Sequence, residues 1–166
     1  MSELPDKLLD KISSYNLFNY LLPGVLFAVA GSKLTHYSFL EKDVLVAAFL
    51  YYFIGLVISR IGSLVIEPLF KHSQFVHFAD YKKFIVASEK DPKIELLSEV
   101  NNTYRTLCAL FFSLLLLKGY ERLADHFPWF ESHDSLLLLV FLLIMFALAY
   151  RKQTKYVTKR IEATKA

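Results

Sequence analysis

Cysteine is almost absent from this chain: of 166 residues only Cys108 carries a thiol, and it lies inside an apolar run. A single thiol excludes an internal disulfide and leaves no paired-cysteine spacing for a structural metal. His72 and His77 are five residues apart, which does not align them on one helical face. The sequence also lacks a glycine-rich phosphate loop, an HExxH pair and a nucleophile elbow. We therefore expect no metal, no cofactor and no enzymatic activity.

Charge is scarce as well, and four stretches of the chain carry almost none: residues 16–35, 44–59, 106–117 and 135–150. A soluble surface helix has one apolar stripe, whereas residues 107–117 and 136–150 are apolar on every face. A helix needs about 20 residues to cross the hydrocarbon core, so the shorter stretches must include flanking residues such as Lys118 and Trp129. Pro23 is expected to kink the first helix. The sequence predicts an all-α integral membrane protein with four transmembrane helices and helices that extend into the cytoplasm.

Lysine and arginine are distributed unevenly between the connections. Only four of the 19 lie in the connections that follow the first and third stretches, namely Lys33, Lys42, Lys118 and Arg122. The other fifteen (19 minus 4) lie before the first stretch, between the second and third, and after the fourth. Cytoplasmic loops carry the excess of positive charge. Both termini and the central connection are therefore predicted to be cytoplasmic. The lone Cys108 fits a plasma membrane with a reducing cytoplasmic side, most simply a bacterial inner membrane.

This pattern divides the chain into five segments. Residues 1–16 are predicted to form an N-terminal interfacial amphipathic helix, because leucine and isoleucine recur there at helical spacing between charged residues. Residues 17–70 form the first transmembrane helix pair, and residues 104–150 form the second. Residues 71–103 are a cytoplasmic helical connection, and residues 151–166 are a basic cytoplasmic tail.

Arg60 interrupts the second apolar run, and Glu67 follows on the same helical face. Either the membrane ends near Arg60 and the helix projects into the cytoplasm, or Arg60 lies in the inner leaflet and faces protein or water. A projecting helix would have to bury apolar residues against another subunit, which predicts a homo-oligomer, with a tetramer favoured. Those apolar residues are Ile61, Leu64, Val65 and Leu69. The polar residues predicted to line a shared pore axis are Asn16, Asn19, Ser59 and Arg60.

The tail, YRKQTKYVTKRIEATKA, carries basic residues on all sides of a predicted helix. One interpretation is a basic flank that anchors the helix to anionic lipid. The other is an electropositive surface that binds a polyanion, such as a single-stranded oligonucleotide, through phosphate contacts and base stacking. The candidate ligand-binding residues of this surface are Tyr81, Lys82, Lys83, Arg151, Lys152, Lys155, Tyr156, Lys159 and Arg160.

The first membrane stretch contains the sequence YNLFNYLLPGVLF (residues 15–27), and a helical connection and a basic tyrosine-containing tail follow it. In this layout the chain resembles membrane effectors and sensors of bacterial anti-phage defence. It is similar to the channel-forming subunit of the Hailong system and, less specifically, to the membrane subunit of Kiwa. The resemblance implies a homotetramer that opens an ion path and arrests or kills the infected cell.

In the Hailong type, a single-stranded DNA oligomer made by a partner nucleotidyltransferase holds the channel shut. The resemblance therefore implies an oligomeric inner-membrane effector that acts as a ligand-gated ion channel and depolarises the membrane. It also implies a nucleotidyltransferase encoded next to this protein. The alternative is a non-conducting membrane anchor or sensor that docks a soluble defence partner on the same cytoplasmic face. A measurement of ion conductance would distinguish the channel from the anchor.

Overall fold

The computed structural model describes residues 17–164, with side chains through residue 163. The predicted interfacial helix at residues 1–16, which includes Asn16, and residues 165–166 lie outside the described residues. Within the described part the chain forms six helices and no strand, which confirms the all-α fold class. The helices are α1 (Leu17–Leu34), α2 (Val44–His72), α3 (Tyr81–Lys90), α4 (Lys93–His126), α5 (Pro128–Ser132) and α6 (Asp134–Thr164).

Three helices of the described part are long and apolar enough to cross a membrane: Leu17–Leu34, Val44–His72 and Asp134–Ala163. The third predicted span, residues 106–117, forms the middle of α4 and lies between Arg105 and Lys118. Twelve helical residues measure about 18 Å, whereas the hydrocarbon core is about 30 Å thick. By length and composition, α4 can therefore cross only with its charged flanks included.

Two short π-helical turns interrupt the regular helices. One opens α1 at Leu17–Leu21, and the other lies inside α2 at Gly62–Ile66. Each ends two residues before a proline, Pro23 or Pro68. Proline has no N–H to bond the carbonyl four residues earlier, and its ring needs room in the preceding turn. The kink expected at Pro23 thus takes the form of a widened turn, and α2 contains a second one that we did not predict.

The backbones of α1 and α2 touch at two glycines. A Cβ atom at Gly24 would overlap the carbonyl oxygen of Tyr51, and a Cβ atom at Gly55 would overlap the carbonyl oxygen of Tyr20. Only glycine permits this approach, and small residues at such contacts are typical of closely packed membrane helices. The two helices therefore form a tightly packed pair.

The apolar core lies where α2, α4 and α6 meet. Ile58 of α2 and Leu110 of α4 are fully buried there, and Met145 of α6 packs against them. Met145, which is 5% exposed, is the only buried residue in the described part of α6. Helix α6 therefore lies at the edge of the bundle, with most of its apolar surface facing outward.

The apolar residues after Arg60 are partly buried by the chain itself. Ile61 belongs to the core and Leu64 packs against it, whereas Val65 and Leu69 are exposed. The expectation that all four residues need another subunit is therefore wrong for Ile61 and Leu64. The physical reason is that α4 and α6 continue beside α2 past Arg60, so this part of α2 does not project alone.

The predicted cytoplasmic connection, residues 71–103, contains one separate helix, α3, and the first turns of α4. Asp80 caps α3, because its Oδ1 accepts hydrogen bonds from the backbone N–H groups of Lys82 and Lys83 at 3.0 and 3.3 Å. Asp91 accepts a similar bond from Lys93 N–H at 3.0 Å, where α4 begins. Helix α3 and the start of α4 form a helical hairpin, and Tyr81 and Glu89 of α3 lie beside Tyr156 and Arg160 at the end of α6.

Candidate functional site

Glu67 lies at the centre of an ion-pair cluster between α2, α4 and α6. The residue is only 6% exposed. Its Oε2 accepts a hydrogen bond from Arg105 Nη1 at 2.6 Å, and its Oε1 accepts bonds from Lys71 Nζ at 3.1 Å and Lys152 Nζ at 3.2 Å. A buried carboxylate is stable only when it is paired and hydrogen-bonded. With three basic side chains around one acid, the cluster retains a net positive charge.

Lys152 connects this cluster to the π turn of α2. Besides Glu67, its ammonium group donates to the backbone carbonyl of Ser63 at 2.6 Å and to Ser63 Oγ at 2.8 Å. An ammonium has three N–H donors, so each has an acceptor within the protein. The structure therefore places Lys152 between α6 and α2, rather than on the free basic face for which it was predicted. Its amphipathic stem reaches inward, while its neighbours Arg151 and Lys155 are exposed.

The sequence indicates only one of the ion pairs in this cluster. Glu67 and Lys71 have the i, i+4 spacing of a helical ion pair and could have been paired. Arg105 and Lys152 are 38 and 85 residues away from Glu67 in the chain. No local pattern connects such distant residues. The sequence reasoning related Glu67 to Arg60, but the structure pairs it with other cations.

The predicted ligand-binding residues fall on two surfaces. Tyr81 of α3 and Tyr156 of α6 lie side by side, with ring centroids 6.3 Å apart, and Arg160 Nη2 lies 3.9 Å from Glu89 Oε1 of α3. Lys82 and Lys83 are exposed on α3 beside this contact. The remaining basic residues recur every four positions and form an exposed stripe along α6, on the face that lines an open groove. They are Arg151, Lys155 and Lys159.

Of the predicted pore residues that the structure describes, Asn19 and Ser59 face the interior of the single chain. Asn19 is 2% and Ser59 is 4% exposed. Thr103 Oγ1 of α4 donates a hydrogen bond to Asn19 Oδ1 at 3.4 Å, and Arg60 Nη2 lies 3.5 Å from the Tyr20 hydroxyl. Their lining of a shared axis stays a prediction, and it would require α1 and α2 to be arranged differently.

A second buried carboxylate, Glu121, anchors the opposite end of α4. Its Oε1 accepts a hydrogen bond from the backbone N–H of His36 at 2.7 Å and lies 3.0 Å from His36 Nδ1. Lys118 Nζ donates to its other oxygen. The hydrogen bond from Lys118, followed by that from His36, holds the pKa of Glu121 below its ordinary value. Arg105 and Glu121 thus fix α4 at two points about 24 Å apart along its axis.

Two observations bear on whether these clusters could form a metal-binding site. Among residues 17–164, no three His, Cys, Asp or Glu side chains converge in a way that could hold a metal ion. The buried carboxylate Glu67 instead forms ion pairs with Arg105 and Lys152, which join α2 to α4 and α6. No family model matches the chain, and comparisons with curated proteins and with solved structures give no match.

Proposed function

We propose that this protein is an oligomeric effector of the bacterial inner membrane and acts as a ligand-gated ion channel that depolarises the membrane in anti-phage defence. In this proposal it has four transmembrane helices, with both termini and the α3 hairpin in the cytoplasm. The observation that carries it is the contact between Lys152 and Ser63, which joins the basic tail to the π turn of a membrane helix. A nucleotidyltransferase encoded next to it would supply an oligonucleotide ligand.

The fourth span is supported by the position of α4. This helix packs against α1 and α2, both of which are long and apolar enough to span. Its anchors at Arg105 and Glu121 are about 24 Å apart, and α2 rises about 25 Å between Asp43 and Arg60. Because α4 runs beside α1 and α2 over nearly the same length, it would cross the same layer. Contacts with its neighbours shield part of its short apolar run from lipid.

Gating is supported by the coupling at the inner end of the helices. A ligand can shift a conformational equilibrium only through contacts that differ between the two states. Lys152 is bonded to Ser63 in the π turn and to Glu67 one turn later, so movement of the tail would disturb both. π turns are frequent at functional sites and provide a place where a helix can change register. A polyanion on the neighbouring basic stripe would compete with Glu67 for this lysine.

Oligomerisation is supported by the outward apolar surface of α6, which a second copy could cover. The tetramer is implied by the resemblance in layout. Asn19 and Ser59 are buried between helices of one chain, so they would reach a water-filled path only if α1 and α2 separate. The proposal therefore requires different arrangements for the closed and conducting states.

Ion flux from liposomes containing the purified protein tests the proposal. We expect flux that responds to short single-stranded oligonucleotides. Lys152→Gln should abolish this response because it removes the contact with Ser63. Lys155→Gln is the matched control on the exposed stripe. It should weaken oligonucleotide binding but leave the flux response unchanged at saturating oligonucleotide. If the inserted, folded protein gives no ion flux with or without oligonucleotide, that result would contradict the proposed channel.

A non-conducting anchor that docks a soluble defence partner is the second candidate. It is favoured by the contact of Tyr81 with Tyr156, which holds α3 against the end of α6 and presents a preformed cytoplasmic surface. This candidate predicts no flux under any condition. It also predicts that Tyr156→Ala would release the partner without changing membrane insertion.

A further inference from the structure

Arg60 is a cation in α2 without a carboxylate partner among the described residues. Its contact from Nη2 to the Tyr20 hydroxyl is long, at 3.5 Å, and its buried Nε has no acceptor within the described part of the chain. A guanidinium has five N–H donors in a planar fork. The nearby carboxylate, Glu67, is already occupied by Arg105, Lys71 and Lys152. Arg60 therefore has unused capacity to bind an anion.

Arg60 lines a narrow cleft between α2 and α6. The cleft contains a cavity of about 20 Å³, and the polar residues along it are Ser63, Lys152, Gln153 and Tyr156. Its potential is positive, because Lys152 belongs to a cluster with three basic groups around one acid. The cavity itself is no larger than a water molecule. An anionic group would thus bind at the mouth of the cleft, beside Arg60 and Gln153, and would not be enclosed.

In a membrane-inserted protein, the cleft would lie near the headgroups of one leaflet. Asp43 caps the opposite end of α2, and Arg60 is about 25 Å from it along the helix. In α6, Lys152 is about 27 Å from Asp134 by the same measure. These spans are close to the thickness of the hydrocarbon core. An arginine at this level meets phospholipid phosphates, and basic pockets between membrane helices on the cytoplasmic side bind anionic headgroups.

We propose that this cleft binds the phosphate of an anionic phospholipid, such as phosphatidylglycerol. The guanidinium of Arg60 donates to the phosphate oxygens, since its fork matches their geometry. Gln153 and Tyr156 line the same cleft, and their side chains carry N–H and O–H donors for the headgroup. A soluble phosphodiester offers the same chemistry, but the depth of Arg60 favours the lipid. This inference requires membrane insertion and is independent of conduction.

The test is lipid binding by the purified protein in detergent, measured by native mass spectrometry. Phosphatidylglycerol is compared with phosphatidylcholine carrying the same acyl chains. Arg60→Gln should weaken the preference for phosphatidylglycerol by about tenfold, the range expected for a charge-assisted hydrogen bond. Arg122→Gln is the matched control, because Arg122 is exposed and lies outside both the cleft and the basic stripe of α6. It removes the same charge and should leave the preference unchanged.

Two further variants keep the test decisive if Arg60→Gln fails to fold. Arg60→Lys retains the charge but loses the planar fork, so it should have an intermediate preference. Gln153→Leu changes an exposed residue at the cleft and should weaken binding without affecting the fold. An equal loss for Arg60→Gln and Arg122→Gln would identify a nonspecific effect of positive charge and overturn the site. No loss in any cleft variant would overturn it as well.

A separate experiment determines whether the bound phosphate belongs to a lipid headgroup or to a soluble phosphodiester. Short oligothymidylate is added to wild-type protein that carries phosphatidylglycerol. Retention of the lipid supports the headgroup assignment. Displacement of the lipid by oligothymidylate, absent in Arg60→Gln, would assign the cleft to a soluble phosphodiester and overturn the lipid proposal. Because every readout is binding, a protein that binds lipid but does not conduct would contradict only the channel.

Discussion

Glu67 is buried among three basic side chains, so its removal leaves them without a counter-charge. Lys71 is 43% exposed and can turn to water, but Arg105 and Lys152 are 21% and 25% exposed. We predict that Glu67→Gln lowers the free energy of unfolding by about 3 kcal/mol, as expected when one partner of a buried ion pair is removed. Chemical unfolding in detergent measures this loss.

The matched control for that substitution is Glu89→Gln. Glu89 faces Arg160 at 3.9 Å, but its side chain is 62% exposed. Pairs exposed to solvent contribute about 0 to 1 kcal/mol. Similar losses for the two variants would show that the cluster around Glu67 is not a buried anchor.

Glu121 makes stability at the other end of α4 dependent on pH. Its pKa is lowered in the folded protein, first by the hydrogen bond from Lys118 and then by that from His36 N–H. The folded state therefore binds this proton less readily than the unfolded state does. The stabilisation is complete above the ordinary value of about 4.5 and is lost as pH falls through the lowered folded value.

We predict that Glu121→Gln flattens the acid limb of a plot of unfolding free energy against pH. The same experiment on Glu131→Gln, which changes an exposed carboxylate of α5, should leave the acid limb unchanged. An unchanged acid limb in Glu121→Gln would mean that other carboxylates govern acid unfolding.

At the scale of helices, the packing of α1 on α2 depends on the absence of a side chain at Gly55. We predict that Gly55→Ala lowers the free energy of unfolding by about 1 to 3 kcal/mol, because the added methyl group would overlap the Tyr20 carbonyl and force the helices apart. Thermal unfolding in detergent measures the change.

Gly119→Ala provides the control for this contact. A Cβ atom at Gly119 of α4 would meet nothing within 4 Å. Alanine should therefore be neutral there or should stabilise α4 by about 0.5 to 1 kcal/mol through its helix propensity. Equal destabilisation by the two alanines would contradict the close approach of α1 and α2.

At the scale of the whole molecule, alkaline phosphatase fusions distinguish four spans from three. With four spans and a cytoplasmic N-terminus, fusions after Lys42 and Ser132 should be active, and fusions after Ser88 and Ala166 should be inactive. If α4 does not cross, the fusion after Ser132 becomes inactive and the one after Ala166 becomes active. This exchange makes the fusions after Ser132 and Ala166 the decisive pair.

The sequence by itself determined the local features of this protein. Apolar runs without charge specify helices suited to a membrane, because the backbone must satisfy its own hydrogen bonds there. Asp80 caps α3, and Asp91 accepts a hydrogen bond from the Lys93 N–H at the start of α4, since such bonds depend only on residues a few positions away. The position of Pro23 likewise indicated where α1 departs from regular geometry.

The tertiary structure alone decided which polar groups meet. Lys152 was expected on the exposed basic face, yet it turns inward to Ser63 and Glu67, 89 and 85 residues earlier in the chain. Asn19 was expected at a pore and is buried against Thr103. Helical periodicity shows which residues share a face but not which neighbouring helix that face meets. That choice depends on contacts between distant segments, such as the approach of α1 and α2 at Gly24 and Gly55.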